Sequence, residues 1–304
     1  MRIARRALLG TMMAAPAWAQ AGPIPVVASF TILADMVTQV GAGRVAVRAM
    51  AGVDQDLHGF QPRPSDIQAV AQARVMVING LGLEGWAERI AKSAGFKGTA
   101  VVATRGVAAL KAGHGHGHSH GGKGHAHSHG AFDPHAWQDV GNAKRYVGNI
   151  RDGLAAADPG GAAAYAAAAG RYLAELDTLD AEIRALFAAI PAGRRRAVTS
   201  HDAFAYFADA YGVEMLAVAG AWRDAEPSAR ELAALAAQVK KQNIRALFLE
   251  RAGSGAGLRA LSAETGVAIG GTLYPDALSA PEGPAGSYLA MMRHNARTIA
   301  AALA

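Results

Sequence analysis

Residues 161–190, GAAAYAAAAGRYLAELDTLDAEIRALFAAI, keep a helical pattern for thirty residues and end at Pro191. At about 1.5 Å per residue such a helix is about 45 Å long. Its alanine content gives it strong intrinsic helicity, so it reads as a stiff strut and not as a flexible linker. A strut of that length in the middle of the chain leaves two bodies, one on each side.

Both flanks carry the same rhythm of short strand and helix. On the N-terminal side, PVVASF, RVAVRAM, VMVING and TAVVATRG read as strands. ILADMVTQVG, SDIQAVAQA and EGWAERIAKSAG read as helices, the second with Ser65 as its N-cap. DVGNAKRYVGNIRDGLAAAD adds a helix up to the break at Asp158-Pro159-Gly160. On the C-terminal side AVTSH, VEMLAVA, IRALFLE and VAIGGTLY read as strands, with helices between them and a last helix from Ser287. Strands alternating with helices predict mainly parallel sheets. The expected fold is therefore α/β, two similar lobes joined by one long rigid helix, with ligands bound between the lobes outside the carboxyl ends of strands. The expected divisions are a signal peptide over 1–19, an N-terminal lobe over 20–138, a helical linker over 139–192 and a C-terminal lobe over 193–304.

The signal-peptide reading rests on a basic MRIARR, a short apolar ALLGTMMAAPA and a small-residue AWA. The apolar part is too short to span a bilayer. Its removal takes Arg2, Arg5 and Arg6 and no acid, so the formal charge falls from +6 to +3. No nucleic-acid footprint survives that correction. The 304 residues contain no cysteine, which leaves no disulfide, no thiolate metal ligand and no cysteine-linked lipid. The expected location is the periplasm, without a lipid anchor.

Ten of the eleven histidines fall into two classes. His114, His116, His118, His120, His125, His127 and His129 alternate mainly with Gly, Ser and Ala. Nothing there can bury a core, so 113–130 is expected to be a flexible loop that collects metal through neutral imidazole; a tag or a solvating linker is the bland alternative. His58, His135 and His201 instead sit in non-repetitive stretches at the ends of predicted strands. Taken singly, each is more often structural than a ligand. Asp54 and Asp56 are read as surface acids able to orient an imidazole. Pro62 and Pro64 are expected to stiffen the His58 loop, Glu226 to open a helix and Glu250 to reach the cleft. His294 is expected to be a packing or surface residue, and Trp137 and Phe204 to wall the site.

DLHGFQPRPSD, DPHAW, SHDAFAYFA, EPSARELAAL and LYPDALS…SYLAMMRHN together resemble the metal-ion solute-binding proteins of bacterial ABC importers, the group of the periplasmic zinc-uptake proteins and the manganese-binding lipoproteins. The likeness covers essentially the whole chain after residue 19, in the same order. It implies one ion held by His58, His135, His201 and Asp276. Three imidazoles and a carboxylate suit a closed tetrahedral Zn²⁺ shell. Similar manganese proteins often carry a carboxylate at the position of His201, so histidine there favours zinc. The resemblance implies a monomer that captures Zn²⁺ and delivers it to an ABC transporter permease, with a periplasmic zinc chaperone as a candidate donor and nucleic acid excluded. Manganese or iron as cargo, a metal buffer acting through the His-rich loop and a zinc hydrolase are the alternatives. The last lacks an HExxH pair.

Overall fold

The computed structural model describes residues 22–53, 55–113, 131–217, 228–251 and 255–304. The expected signal peptide, the seven histidines of 114–129, Asp54 and Glu226 lie outside the described residues. Among the described residues, no helix is long and apolar enough to cross a membrane.

The first lobe is built from β1 (Ile24–Phe30), α1 (Thr31–Val40), β2 (Val45–Ala51), α2 (Pro64–Gln72), β3 (Val75–Ile78), α3 (Ala87–Ser93) and β4 (Thr99–Val102). Two helices follow, α4 (Val140–Ala157) and α5 (Ala162–Ala188). The second lobe comprises β5 (Arg196–Thr199), α6 (Ala205–Tyr211), β6 (Glu214–Ala217), α7 (Ala229–Lys241), β7 (Ala246–Glu250), α8 (Ala256–Thr265), β8 (Ile269–Leu273) and α9 (Tyr288–Leu303). The sheet orders are β2-β1-β3-β4 and β6-β5-β7-β8, and every strand pairing in them is parallel. The two lobes thus repeat one topology, with the strand order reversing beside β1 in one and beside β5 in the other.

Period-two alternation decides which side chains go where. Val26, Ala28 and Phe30 of β1 enter one large central core, whereas Val27 faces the outer layer under α2 and α3. Ala246 and Phe248 of β7 join the same central core, and Leu247 faces the layer under α7 and α8. The central core is continuous across both lobes and includes α4, α5 and α9. The connecting helix is therefore a buried spine. Tyr165, Ala168, Tyr172, Leu176, Leu179, Ile183 and Phe187, spaced three and four apart, form its buried stripe. Gly153 lets α4 approach β4 closely, since a Cβ there would meet Val101 Cγ2 at 2.1 Å.

One boundary differs from the sequence expectation. α2 is capped at Arg63 and starts at Pro64, so Ser65 is inside the helix. Proline is pre-organised for the first helical position and forces the residue before it to be extended; Arg63 has φ −94° and ψ 163°. Its backbone N–H donates to Asp66 Oδ2 at 2.8 Å, the reach-back contact of an N-terminal cap.

Candidate metal centre

Each of the four residues follows the carboxyl end of a parallel strand. His58 is in the loop after β2, His201 two residues after β5, Asp276 three residues after β8, and His135 on the segment between β4 and α4. Parallel strands carry all four to one junction, as the general rule for open α/β sheets requires.

The local supports are specific. Leu57 anchors the His58 loop in the central core, and Phe60 packs on Trp86 at 5.4 Å between ring centroids. Asp56 Oδ1 accepts the His58 backbone N–H at 3.0 Å. The His135 segment is held from three sides. Asp133 Oδ1 accepts the His135 backbone N–H at 2.9 Å and its Nδ1–H at 2.7 Å. Asn79 Nδ2 donates to Pro134 O at 2.9 Å, while Tyr146 OH donates to Asn79 Oδ1 at 2.6 Å. From the other lobe, Tyr206 OH donates to Asp133 O at 3.0 Å and accepts from Leu110 N at 3.0 Å. Glu84 braces Asn79 in turn, accepting its backbone N–H at 2.7 Å and the Ser29 hydroxyl at 2.6 Å.

In the second lobe β5 and β7 are neighbours, which brings Glu250 beside His201. Its Oε1 accepts the backbone N–H groups of Ser200 and His201, both at 3.1 Å, and its Oε2 accepts the His201 Nδ1–H. Asn295 of α9 holds Tyr274 at both backbone groups, at 2.9 and 2.8 Å, two residues before Asp276.

With Nδ1 committed to a carboxylate in His135 and His201, Nε2 of each ring is left facing the centre. His58 Nε2 lies 3.1 Å from His135 Nε2. Asp276 lies 3.7 Å from His58 Nε2, 3.5 Å from His135 Nε2 and 3.3 Å from His201 Nε2. One donor atom from each of the four lies within 4.8 Å of the others. Bonds of about 2.0–2.1 Å in a tetrahedral zinc shell put donors about 3.3–3.4 Å apart. The His58–His135 distance and the three Asp276–histidine distances, 3.1–3.7 Å, lie near that scale. His135 and Asp276 side chains are 1% and 2% exposed and those of His58 and His201 10%, so the latter pair forms the more open side of the cluster.

Electrostatics favour a cation. Burial would raise the Asp276 carboxyl, but His201, His135 and His58 outweigh it and hold Asp276 well below the usual carboxylate range. Burial would likewise lower His201, yet Glu250 and Asp276 lift it to about 10. His201 is therefore protonated at pH 7, and an ion bound through its Nε2 would displace that proton. Calorimetry in buffers of different ionisation heat is expected to show about one proton released per zinc at pH 7. Because the folded value of His201 lies above the ordinary 6.5, its contribution to metal-free stability is complete below that value. It is lost as pH rises from there through about 10, so the metal-free melting temperature is expected to fall across this window.

Other sequence expectations fare differently. Trp137 lies against the His135 ring at 5.2 Å and on Phe30 at 5.0 Å, as a wall residue would. Phe204 is buried and packs on Phe207. Glu250 does reach the cleft. Asp56 is exposed and orients the His58 backbone. His294 is a packing residue: its Nε2 donates to Thr272 O at 3.0 Å and its ring meets Tyr274 edge-on. Asp133, Asn79 and Tyr206 were not anticipated. Asp133 had a local signal, since Asp56-Leu57-His58 and Asp133-Pro134-His135 share an aspartate two residues before the histidine, the spacing of an Asx-turn.

Residues 26–302 match the family model described as zinc-uptake complex component A, periplasmic. The chain is 32% identical over 280 residues to the manganese-binding lipoprotein MntA of Halalkalibacterium halodurans, covering 92% of this chain and 88% of that protein. It is 30% identical over 275 residues to the iron-binding protein YfeA of Yersinia pestis, covering 90% and 85%. Among solved structures, the periplasmic zinc-binding protein TroA of Treponema pallidum superposes with a TM-score of 0.79 at 29% identity, covering 93% of this chain and 100% of that one.

Proposed function

As this chain belongs to the zinc-uptake component A family, the metal-binding solute-binding proteins of ABC importers, we propose that it captures Zn²⁺ in the periplasm and delivers it to the importer's permease. The family is one of transport proteins and not of enzymes. The ligands in this proposal are His58, His135, His201 and Asp276. Its main support is the donor set itself: three imidazole nitrogens and one carboxylate gathered within 4.8 Å, two of the rings backed by carboxylates. Such nitrogen-rich donors favour zinc over manganese or ferrous ions. Four protein ligands close a tetrahedral shell and leave no position for a reacting water, which suits carriage. Residues 1–19 are proposed as the chain's export signal, and the 304 residues contain no cysteine to carry a thioether-linked lipid.

The relatives named for manganese and iron favour a second reading, in which the same four residues carry one of those ions. Native mass spectrometry after exposure to equimolar zinc and manganese separates the two. The expected spectrum shows one tightly held zinc that survives deletion of 113–130, and no manganese. A manganese-filled centre would overturn the zinc assignment, and loss of all binding on deleting 113–130 would overturn the four-residue site. The seven histidines of that segment are proposed to hold further ions weakly and to speed loading.

A further inference from the structure

Beside the four donors one backbone carbonyl takes two hydrogen bonds across the lobes. Pro275 O, directly before Asp276, accepts from Trp137 Nε1 at 2.8 Å and from Gln138 Nε2 at 2.7 Å. Both donors belong to the short turn Ala136–Gln138 that follows His135. The segment bearing a ligand from one lobe thus grips the peptide bearing a ligand from the other. The grip is itself anchored, since Tyr288 OH donates to Trp137 O at 2.7 Å. Two donors on one carbonyl oxygen use both its acceptor directions and fix the plane of the 275–276 peptide. That plane sets where the Asp276 carboxylate points.

Gln138 shows an imbalance that a purely structural residue would not need. It is fully buried, and its Oε1 has no hydrogen-bond partner among the described residues. A buried acceptor left unpaired destabilises a fold, whereas an apolar side chain of the same shape avoids that cost. Stability alone does not select glutamine here; the contact from its Nε2 to Pro275 does.

We propose that Gln138 is a positioning residue of the metal centre: with the Trp137 indole it fixes the Pro275 carbonyl, so that Asp276 already faces His135 before an ion arrives. This rests on the reading of the four donors as a metal site. The ion then meets a preset pair and has only to draw in His58 and His201. Part of the ordering that capture requires is complete in the empty protein.

The test uses the full chain and zinc alone. Gln138→Met keeps the length of the side chain and removes both polar atoms. Zinc affinity, measured by competition with a chromophoric chelator, is expected to fall about tenfold. The metal-free melting temperature is expected to stay level or rise, because the orphaned oxygen is gone. Trp137→Phe, which keeps an aromatic ring, should weaken zinc in the same direction, and the double variant more than either. Hydrogen exchange at 274–277 in the metal-free protein should quicken in all three. Unchanged affinity in both single variants would overturn the proposal. So would an affinity loss matched by a fall in metal-free melting temperature, or a Gln138→Met chain that does not fold, since either marks a structural role. An unmodified protein that takes up no zinc would instead overturn the metal-site reading, and the parent control separates the two failures.

Discussion

Asp276→Asn is expected to lower zinc affinity by about two to four orders of magnitude, the equivalent of the 3–5 kcal/mol lost when one partner of a buried charge pair is removed. Asp276 is the only anion among the four donors, and its side chain is 2% exposed. The asparagine keeps the size and one oxygen, so the loss reports charge and not packing. In the metal-free protein the same carboxylate balances the proton on His201. Its removal should therefore also shrink the proton release on zinc binding. A chelator competition series on both proteins measures the first effect and calorimetry the second. An affinity within tenfold of the parent would place the ion elsewhere.

Glu250→Gln ranks next, with an expected loss of about 10- to 100-fold, the usual effect of altering a carboxylate behind a ligating histidine. The amide keeps one acceptor oxygen where the carboxylate uses two, so it can serve either the Nδ1–H or the two backbone N–H groups, and the loss combines the missing charge with one broken set of contacts. Two readouts should move together. Zinc affinity drops, and His201 loses the largest influence that lifts it toward 10, so less proton is released at pH 7. Glu250→Leu should weaken zinc further, because neither the His201 ring nor the backbone N–H groups of Ser200 and His201 then keep an acceptor. If Glu250→Gln reduced affinity with proton release unchanged, the carboxylate would be acting by shape alone.

The fold was legible because two patterns are written plainly in the chain. The near-continuous apolar runs PVVASF and ALFLE mark strands with both faces covered, and the stripe from Tyr165 to Phe187 marks one buried helix face. The start of α2 was misread because serine is a common cap, yet the proline at 64 constrains the backbone more strongly than a hydroxyl attracts it. The four donors were legible only through the resemblance, since no spacing rule links 58, 135, 201 and 276. The supports divide by range. Asp133 acts two residues away and had a local signal; Glu250 acts over 49 residues through the pairing of β5 with β7, and Gln138 over 137 through the contact between lobes. Contacts of that span are made by topology and leave no local pattern.

One apolar core runs without a seam beneath both sheets, so neither half of the molecule is a free-standing piece. The halves cannot swing apart like jaws without tearing that interior. The proposed ion would therefore add a tie between halves that this core already joins. Under the proposed function, a permease is then expected to read local changes at the junction and not an opened or closed outline.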